Sequence, residues 1–254
     1  AFKAASSAEV AFTQNEKLDN EALELNGVVG YAFSDKQKDV HEQYIPYLGY
    51  RASRTSVAGG ATDKVEVANV GLLYDRFQRV SPGGVIENFK LGLFPVASFD
   101  LAQKAETVAL KSFVLPGVSL GGFRLAQDND VFGSGWLFAY PDVKLTAEAR
   151  HVLDAGENPN LRDDDFFAGF GVEPELKLAL DTGTAVDRLR LTGAYRFVRY
   201  VSGEVNDAER LELGLDYLLD DSGNFKLRLE YVEGEQEDTL QLEKSWGVKL
   251  GLKF

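Results

Sequence analysis

The side chains that could carry chemistry are few and scattered. Cysteine and methionine are absent and histidine occurs twice. That removes disulfides, thiolate nucleophiles, iron–sulfur clusters and thiolate metal sites. Ser134 and His151 are the pair to weigh as nucleophile and base. With a turn at Pro141-Asp142, position 134 faces 149, and His151 becomes a diagonal neighbour about 7–8 Å away. A third group must orient the imidazole, and Asn158, Asn160 and Asp163 follow closely enough to bend back. Against this, a small serine among aromatics and an interfacial histidine need no chemistry at all. Asp163, Asp164 and Asp165, with Asp154 and Glu157, crowd one segment. Clustered carboxylates can hold Ca²⁺ or Mg²⁺, but the D-x-[DN]-x-[DN]-G spacing is missing, and solvated loop charge is the better account. The two histidines are too far apart in sequence to argue a zinc site. No glycine-rich phosphate loop occurs, so no cofactor is expected.

The charge balance narrows the partners. The chain has 254 residues, with 27 Lys and Arg against 40 Asp and Glu, a formal charge of −13. It is long enough to bury a core and has the wrong sign for a nucleic-acid binder. No run of about 18 apolar residues marks a transmembrane helix. The start at Ala1 fits a processed chain. No linker or low-complexity stretch divides it, so 1–254 reads as one domain.

What dominates instead is strict alternation. Phe225, Leu227, Leu229 and Tyr231 alternate with Lys226, Arg228 and Glu230. Leu211, Leu213, Leu215 and Tyr217 alternate with Arg210, Glu212 and Asp216. Leu189, Leu191, Tyr195 and Phe197 alternate with Arg188, Arg190 and Arg196, and Trp246, Val248, Leu250, Leu252 and Phe254 with Lys249 and Lys253. A strand sends successive side chains to opposite faces, so each run has one greasy face and one charged face. Turn residues separate the runs at 81–84, 140–142, 181–184 and 220–224, and longer polar connections fall at 15–21, 52–64, 98–104, 154–165, 202–207 and 234–238.

The reading is all-β with twelve to fourteen strands, near 5–14, 22–33, 43–53, 65–78, 87–97, 105–114, 117–125, 130–140, 142–153, 166–181, 187–201, 208–219, 224–233 and 239–254. The segment 98–130 is open: a helix, inward loop or plug there would leave twelve. Both counts are even and put the chain ends on one side. Strand length and aromatics at strand ends (Phe33, Tyr140, Phe166, Tyr217, Tyr231, Phe254) point the apolar face outward into lipid.

The last strand adds a resemblance. Trp246-x-Val248-x-Leu250-x-Leu252-x-Phe254 resembles the closing strand of Gram-negative outer-membrane β-barrel proteins, which alternates and ends on Phe or Trp. The resemblance implies a transmembrane antiparallel up-and-down β-barrel in the bacterial cell outer membrane, with N- and C-termini periplasmic. It implies reading of that strand by the barrel-assembly machinery, and contact with outer-membrane lipid and lipopolysaccharide.

Inside such a barrel, Arg188, Arg190, Arg196, Arg210, Lys226, Arg228 and Lys249 become a cationic lining interleaved with Glu212 and other carboxylates. A small channel for hydrophilic solutes, anions among them, is the first functional expectation. A non-transport barrel, autotransporter-like, structural, adhesive or scaffolding, is the second. An outer-leaflet lipid hydrolase using Ser134 and His151 is the third.

Overall fold

The computed structural model describes the backbone of residues 2–15, 20–37, 39–56, 62–81, 83–120, 123–158, 161–163, 165–202, 207–220, 224–235 and 242–253. Side chains are described for 25–37, 39–52, 66–81, 83–120, 123–131, 133–158, 161–163, 165–202, 207–220, 224–235 and 244–252. The strands are β1 (Phe2–Asn15), β2 (Asn20–Lys36), β3 (Val40–Ser56), β4 (Thr62–Arg79), β5 (Ile86–Asp100) and β6 (Ala105–Leu120). Two short pieces, β7 (Phe123–Arg124) and β8 (Asn129–Asp130), precede β9 (Leu137–Asp154). The rest are β10 (Phe166–Leu180), β11 (Leu189–Tyr200), β12 (Ala208–Leu218), β13 (Phe225–Glu235) and β14 (Leu242–Lys253).

Apart from β7 and β8, every strand pairs antiparallel with two neighbours. The ring closes where β1 meets β14 and where β6 meets β9. The ring holds twelve long strands among the described residues, and the short β7 and β8 pair onto β6 and β9 beside it. Their length exceeds the roughly ten tilted residues that cross a bilayer. A hydrocarbon slab offers no partner to a free peptide group, so a sheet can span it only when closed.

Accessibility decides which face looks outward. On β13, Leu229 is 46% exposed while its neighbour Glu230 is 7% exposed. On β12, Leu213 and Leu215 are exposed and Asp216 is buried. Trp246, Val248 and Leu250 of β14 lie outside, as do Leu145 of β9, Phe170 and Leu176 of β10, and Leu191 of β11. A soluble protein shows the reverse partition. This one exposes grease and buries charge, as an apolar belt in lipid around a polar lumen requires.

Polar aromatic clusters mark the belt's edges. Outside β3 and β4, the Tyr44 and Tyr74 rings sit 4.8 Å apart. Tyr74 donates to Glu42 at 3.0 Å, and Arg76 lies 3.4 Å from the same carboxylate. At the opposite rim Tyr231 and Trp246 stack at 4.6 Å, and Lys244 reaches Glu233 at 3.6 Å. Lys244 interrupts the apolar set of the last strand, and this rim pair accounts for it.

Two expected turns are absent. Residues 105–120 form one wall strand between β5 and β9, neither helix nor plug, and the chain runs extended through Pro116. Likewise 137–154 is one strand, and Tyr140-Pro141-Asp142 lies within it, paired to β10. Proline removes one ladder donor, but its fixed φ near −65° is compatible with an extended chain. Twelve wall strands result because neighbouring expected strands merge, not because 98–130 folds inward. The 52–64 connection is also largely strand, since β3 runs to Ser56 and β4 starts at Thr62.

The two rims differ. One carries the connections 101–104, 155–165 and 201–207. The other carries 37–39, 80–85, 121–136, 181–188 and 219–224, together with the start of β1 and the end of β14. Segment 121–136 is a long excursion on this chain-end rim, where only short turns were expected. It is pinned by Leu125 N–H on Val118 O and Ala126 N–H on Pro141 O, both 2.8 Å.

A charge placed on the belt tests this partition. Leu229→Arg should lower unfolding stability in lipid vesicles by about 2–4 kcal/mol. An unchanged urea midpoint would mean that this face does not contact lipid.

Candidate functional site

The lumen is lined by charges that register places opposite each other. Asp216 of β12 faces Arg228 of β13, which faces Lys249 of β14. Arg228 lies 3.4 Å from Asp216 and 2.9 Å from Glu230, and Lys249 reaches Glu230 at 2.5 Å. Lys226 stands 3.8 Å from Asp216. The guanidinium lies over Gly214, where a Cβ would come 2.5 Å from Arg228 Nη2 and 2.6 Å from Thr192 Oγ1. Only glycine leaves room for the arginine to lie along the wall. Arg210 pairs with Glu212 at 2.5 Å nearer the other rim.

The next wall repeats the arrangement. Lys144 of β9 reaches Glu173 at 2.6 Å and Glu175 at 3.7 Å, and Lys177 reaches Glu175 at 3.0 Å. Higher up, Arg196 lies 2.7 Å from the buried Glu148, which also accepts from the Tyr200 hydroxyl. Arg150 sits 5.5 Å from the centre of the Phe167 ring. The lining is thus a mosaic of both signs rather than a cationic ladder. Each pair is worth little where water reaches it. Together the pairs hold long side chains against the wall.

They do not fill the lumen. A cavity of about 390 Å³ is bordered by Tyr47, Asn69, Phe94, Phe113, Lys144, Glu148, Glu173 and Arg196. A second, of about 510 Å³, shares Phe113 and Lys144 with it and continues past Lys90, Asp128, Tyr140 and Asp142 to Arg190. A third, of about 540 Å³, shares Arg190 and opens at the chain-end rim beside Asp187, Arg188 and Tyr217. Arg188 donates there to Leu219 O at 3.4 Å, and Arg190 to Leu189 O at 3.0 Å.

Toward the other rim the passage narrows under the 155–165 connection. Ala155 and Leu161 pack on the lumen-facing Ala105, Val152 and Phe167, against Tyr200. Glu157 N–H donates to Gln103 O at 2.6 Å, tying the loop to the neighbouring turn. The packing there joins 155–165 to Gln103 and Ala105 of the 98–130 segment, and Asp128 of that segment borders the second cavity. No periodicity marks it, because a short loop has none. The aromatic wall of β3–β6 was also missed, because its members lie on separate strands.

The expected Ser–His pair does not exist. Ser134 is on no strand; it follows a 3-10 turn, Val131–Gly133, on the chain-end rim, and its hydroxyl donates to Asp130 at 3.2 Å. His151 faces outward near the opposite rim, with Nδ1 3.3 Å from Asp165 O. Fourteen residue steps along β9 lead from Leu137 to His151, roughly 45 Å at strand rise. The lipid-hydrolase reading falls with that distance. Tyr140, expected outside, lines the second cavity together with Phe138, because alternation continues through Pro141. Asp163 accepts from Ala155 N–H at 2.6 Å and so braces the loop. Asp165 uses its carbonyl toward Val152 and His151. Among the described residues no three acidic or histidine side chains converge on a metal position. Asp164 and Phe254 lie outside the described residues.

No protein-family model matches the chain, and no curated protein matches its sequence. Among solved structures, an outer-membrane channel from Pseudomonas putida F1 superposes at a TM-score of 0.51 with 10% identity, over 98% of this chain and 95% of that one. The β-domain of the Bordetella autotransporter Brka aligns over 100% of this chain and 99% of its own, at TM-score 0.49 and 13% identity. The translocator domain of autotransporter NalP from Neisseria meningitidis gives 0.40 and 13%, over 100% and 88%. The fold is that of bacterial outer-membrane β-barrels. With its lipid-facing belt, that construction places the protein in the outer membrane.

Asp187, beside the rim cavity, carries a pH signature. The Thr182 amide at 2.5 Å, the Thr182 hydroxyl at 2.8 Å and the Thr184 amide at 3.0 Å all donate to it, holding its carboxyl below the usual range. The ionised form is the one the fold favours. Its contribution is complete above the unfolded value near 4 and is lost as pH falls through the lower folded value. Protection of the Thr182 and Thr184 amides relative to their intrinsic exchange rates should fall below about pH 4, and Asp187→Asn should remove that step. Protection that ignores acid would contradict the assignment.

Proposed function

We propose that this protein is a small outer-membrane channel that passes hydrophilic solutes through its charged lumen. One observation carries the reading: the three cavities share lining residues and run from mid-lumen to the chain-end rim. Twelve strands enclose more space than side chains alone fill, and here the polar side chains are drawn to the wall by pairing. Mixed signs along the path favour weak selectivity over a strong anion preference. The chain-end rim is periplasmic in this reading, with Trp246, Val248, Leu250, Leu252 and Phe254 presented to the assembly machinery during insertion, and the 155–165 loop meets the outside.

Single-channel recording in planar bilayers tests it. Discrete steps with weak ion selectivity are expected, and Arg228→Glu should move the reversal potential toward cation preference. A folded barrel with no steps contradicts the channel.

A second reading, a closed barrel without transport, draws on the apolar cluster beneath 155–165. The two separate at Leu161, which is 7% exposed in that cluster. In a channel narrowed by this loop, Leu161→Ser should raise the unit conductance. An unchanged unit conductance would take the loop out of the conduction path.

A further inference from the structure

The wall formed by β3 to β6 differs in kind from the charged wall opposite. Tyr47 of β3 lies flat across β4, because a Cβ on Gly71 would stand 2.7 Å from its ring carbon Cζ and its hydroxyl. Phe113 of β6 lies across β5 in the same way, over Gly92. Phe94 stands beside it, with ring centres 5.5 Å apart and planes tilted by 32°. A ring laid on glycine backbone has one face covered and turns the other to the lumen, where Lys90 Nζ stands 5.6 Å from the Phe113 ring centre. All three rings border the cavity of about 390 Å³. Around it stand Lys111, Lys144, Thr146, Glu148, Glu173 and Arg196, three cations and two carboxylates. Two residues of the lining, Asn69 and Thr146, each carry an oxygen, Oδ1 and Oγ1, that is buried without a hydrogen-bond partner.

We infer that this mid-lumen cavity is a binding site for a neutral saccharide, seated with its C–H face on the Tyr47–Phe94–Phe113 rings and its hydroxyls toward the polar wall. The assignment rests on the channel reading, since the sugar must reach mid-lumen. The lining selects by elimination. A bare anion meets the fixed carboxylates of Glu148 and Glu173, and a bare cation meets Lys111, Lys144 and Arg196. A wholly apolar ligand would cover the Lys144, Glu173 and Arg196 charges with hydrocarbon, which costs free energy. A sugar hydroxyl both donates and accepts, so it serves ammonium, carboxylate, amide and hydroxyl alike. Its ring carries an apolar face suited to flat aromatics. The volume falls within the range of about 300–1,000 Å³ typical of ligand sites.

The test is current block in planar bilayers, with maltotriose and cellotriose as neutral probes, trigalacturonate as the acidic control and benzoate as the aromatic control. Saturable block by at least one neutral sugar is expected. Tyr47→Ala and Phe113→Ala should each weaken it about three- to tenfold while conductance in sugar-free salt persists. An open channel that neither neutral sugar blocks overturns the site. So does block by benzoate or trigalacturonate alone, or block that both variants leave unchanged. A channel that shows no steps fails the channel reading instead. Calorimetry of the same sugars with the barrel in detergent micelles then reads the site separately. Heat of binding that Phe113→Ala removes, in a variant with an unaltered circular dichroism spectrum, upholds it. No heat with either sugar overturns it.

Discussion

Inside a membrane every peptide N–H and C=O must find its partner within the protein, at several kcal/mol for each one left over. The two pairings that complete the ring, β1 with β14 and β6 with β9, therefore govern the rest. Once the ring closes, a period-two side-chain pattern has only two destinations, lipid and lumen. Leu227 and Leu229 go out because Lys226, Arg228 and Glu230 cannot. The same constraint lets the chain run straight through Pro116 and Pro141. One missing ladder donor in a long strand costs less than breaking the wall.

The lumen follows from the same bookkeeping of polar groups. Charges turned inward are partly shielded from bulk water, so carboxylates interleave with cations: Asp216 faces Arg228, and Glu230 lies against both Arg228 and Lys249. Glycines at 71, 92 and 214 then let large side chains lie flat rather than project across the lumen. Pairing and inlay together keep a path open in a barrel of modest girth. The 155–165 loop closes in from one end only.

Much of this was legible in the residues. The alternation from Phe225 to Tyr231 and from Trp246 to Leu252 contains the strand, the face and the membrane in a single pattern. What escaped was whatever depends on how strands lie side by side. Pro141-Asp142 carries turn chemistry locally, and only its pairing with β10 shows it to be mid-strand. That one misreading moved Tyr140 to the wrong face and brought Ser134 next to His151. The Tyr47–Gly71 and Phe113–Gly92 inlays join residues from different strands, which no local period can announce. The packing of Leu161 onto Phe167 belongs to an irregular loop.

The absence of native cysteine makes the central claim directly measurable. Single cysteines at positions 226 to 231 of β13 can be probed in lipid vesicles with a membrane-impermeant thiol reagent. The account predicts labelling with a period of two: 226, 228 and 230 react from a wet lumen, and 227, 229 and 231 are shielded by lipid. Uniform protection would mean a sealed lumen. The opposite alternation would mean that the apolar face points inward, and the barrel described here would be wrong.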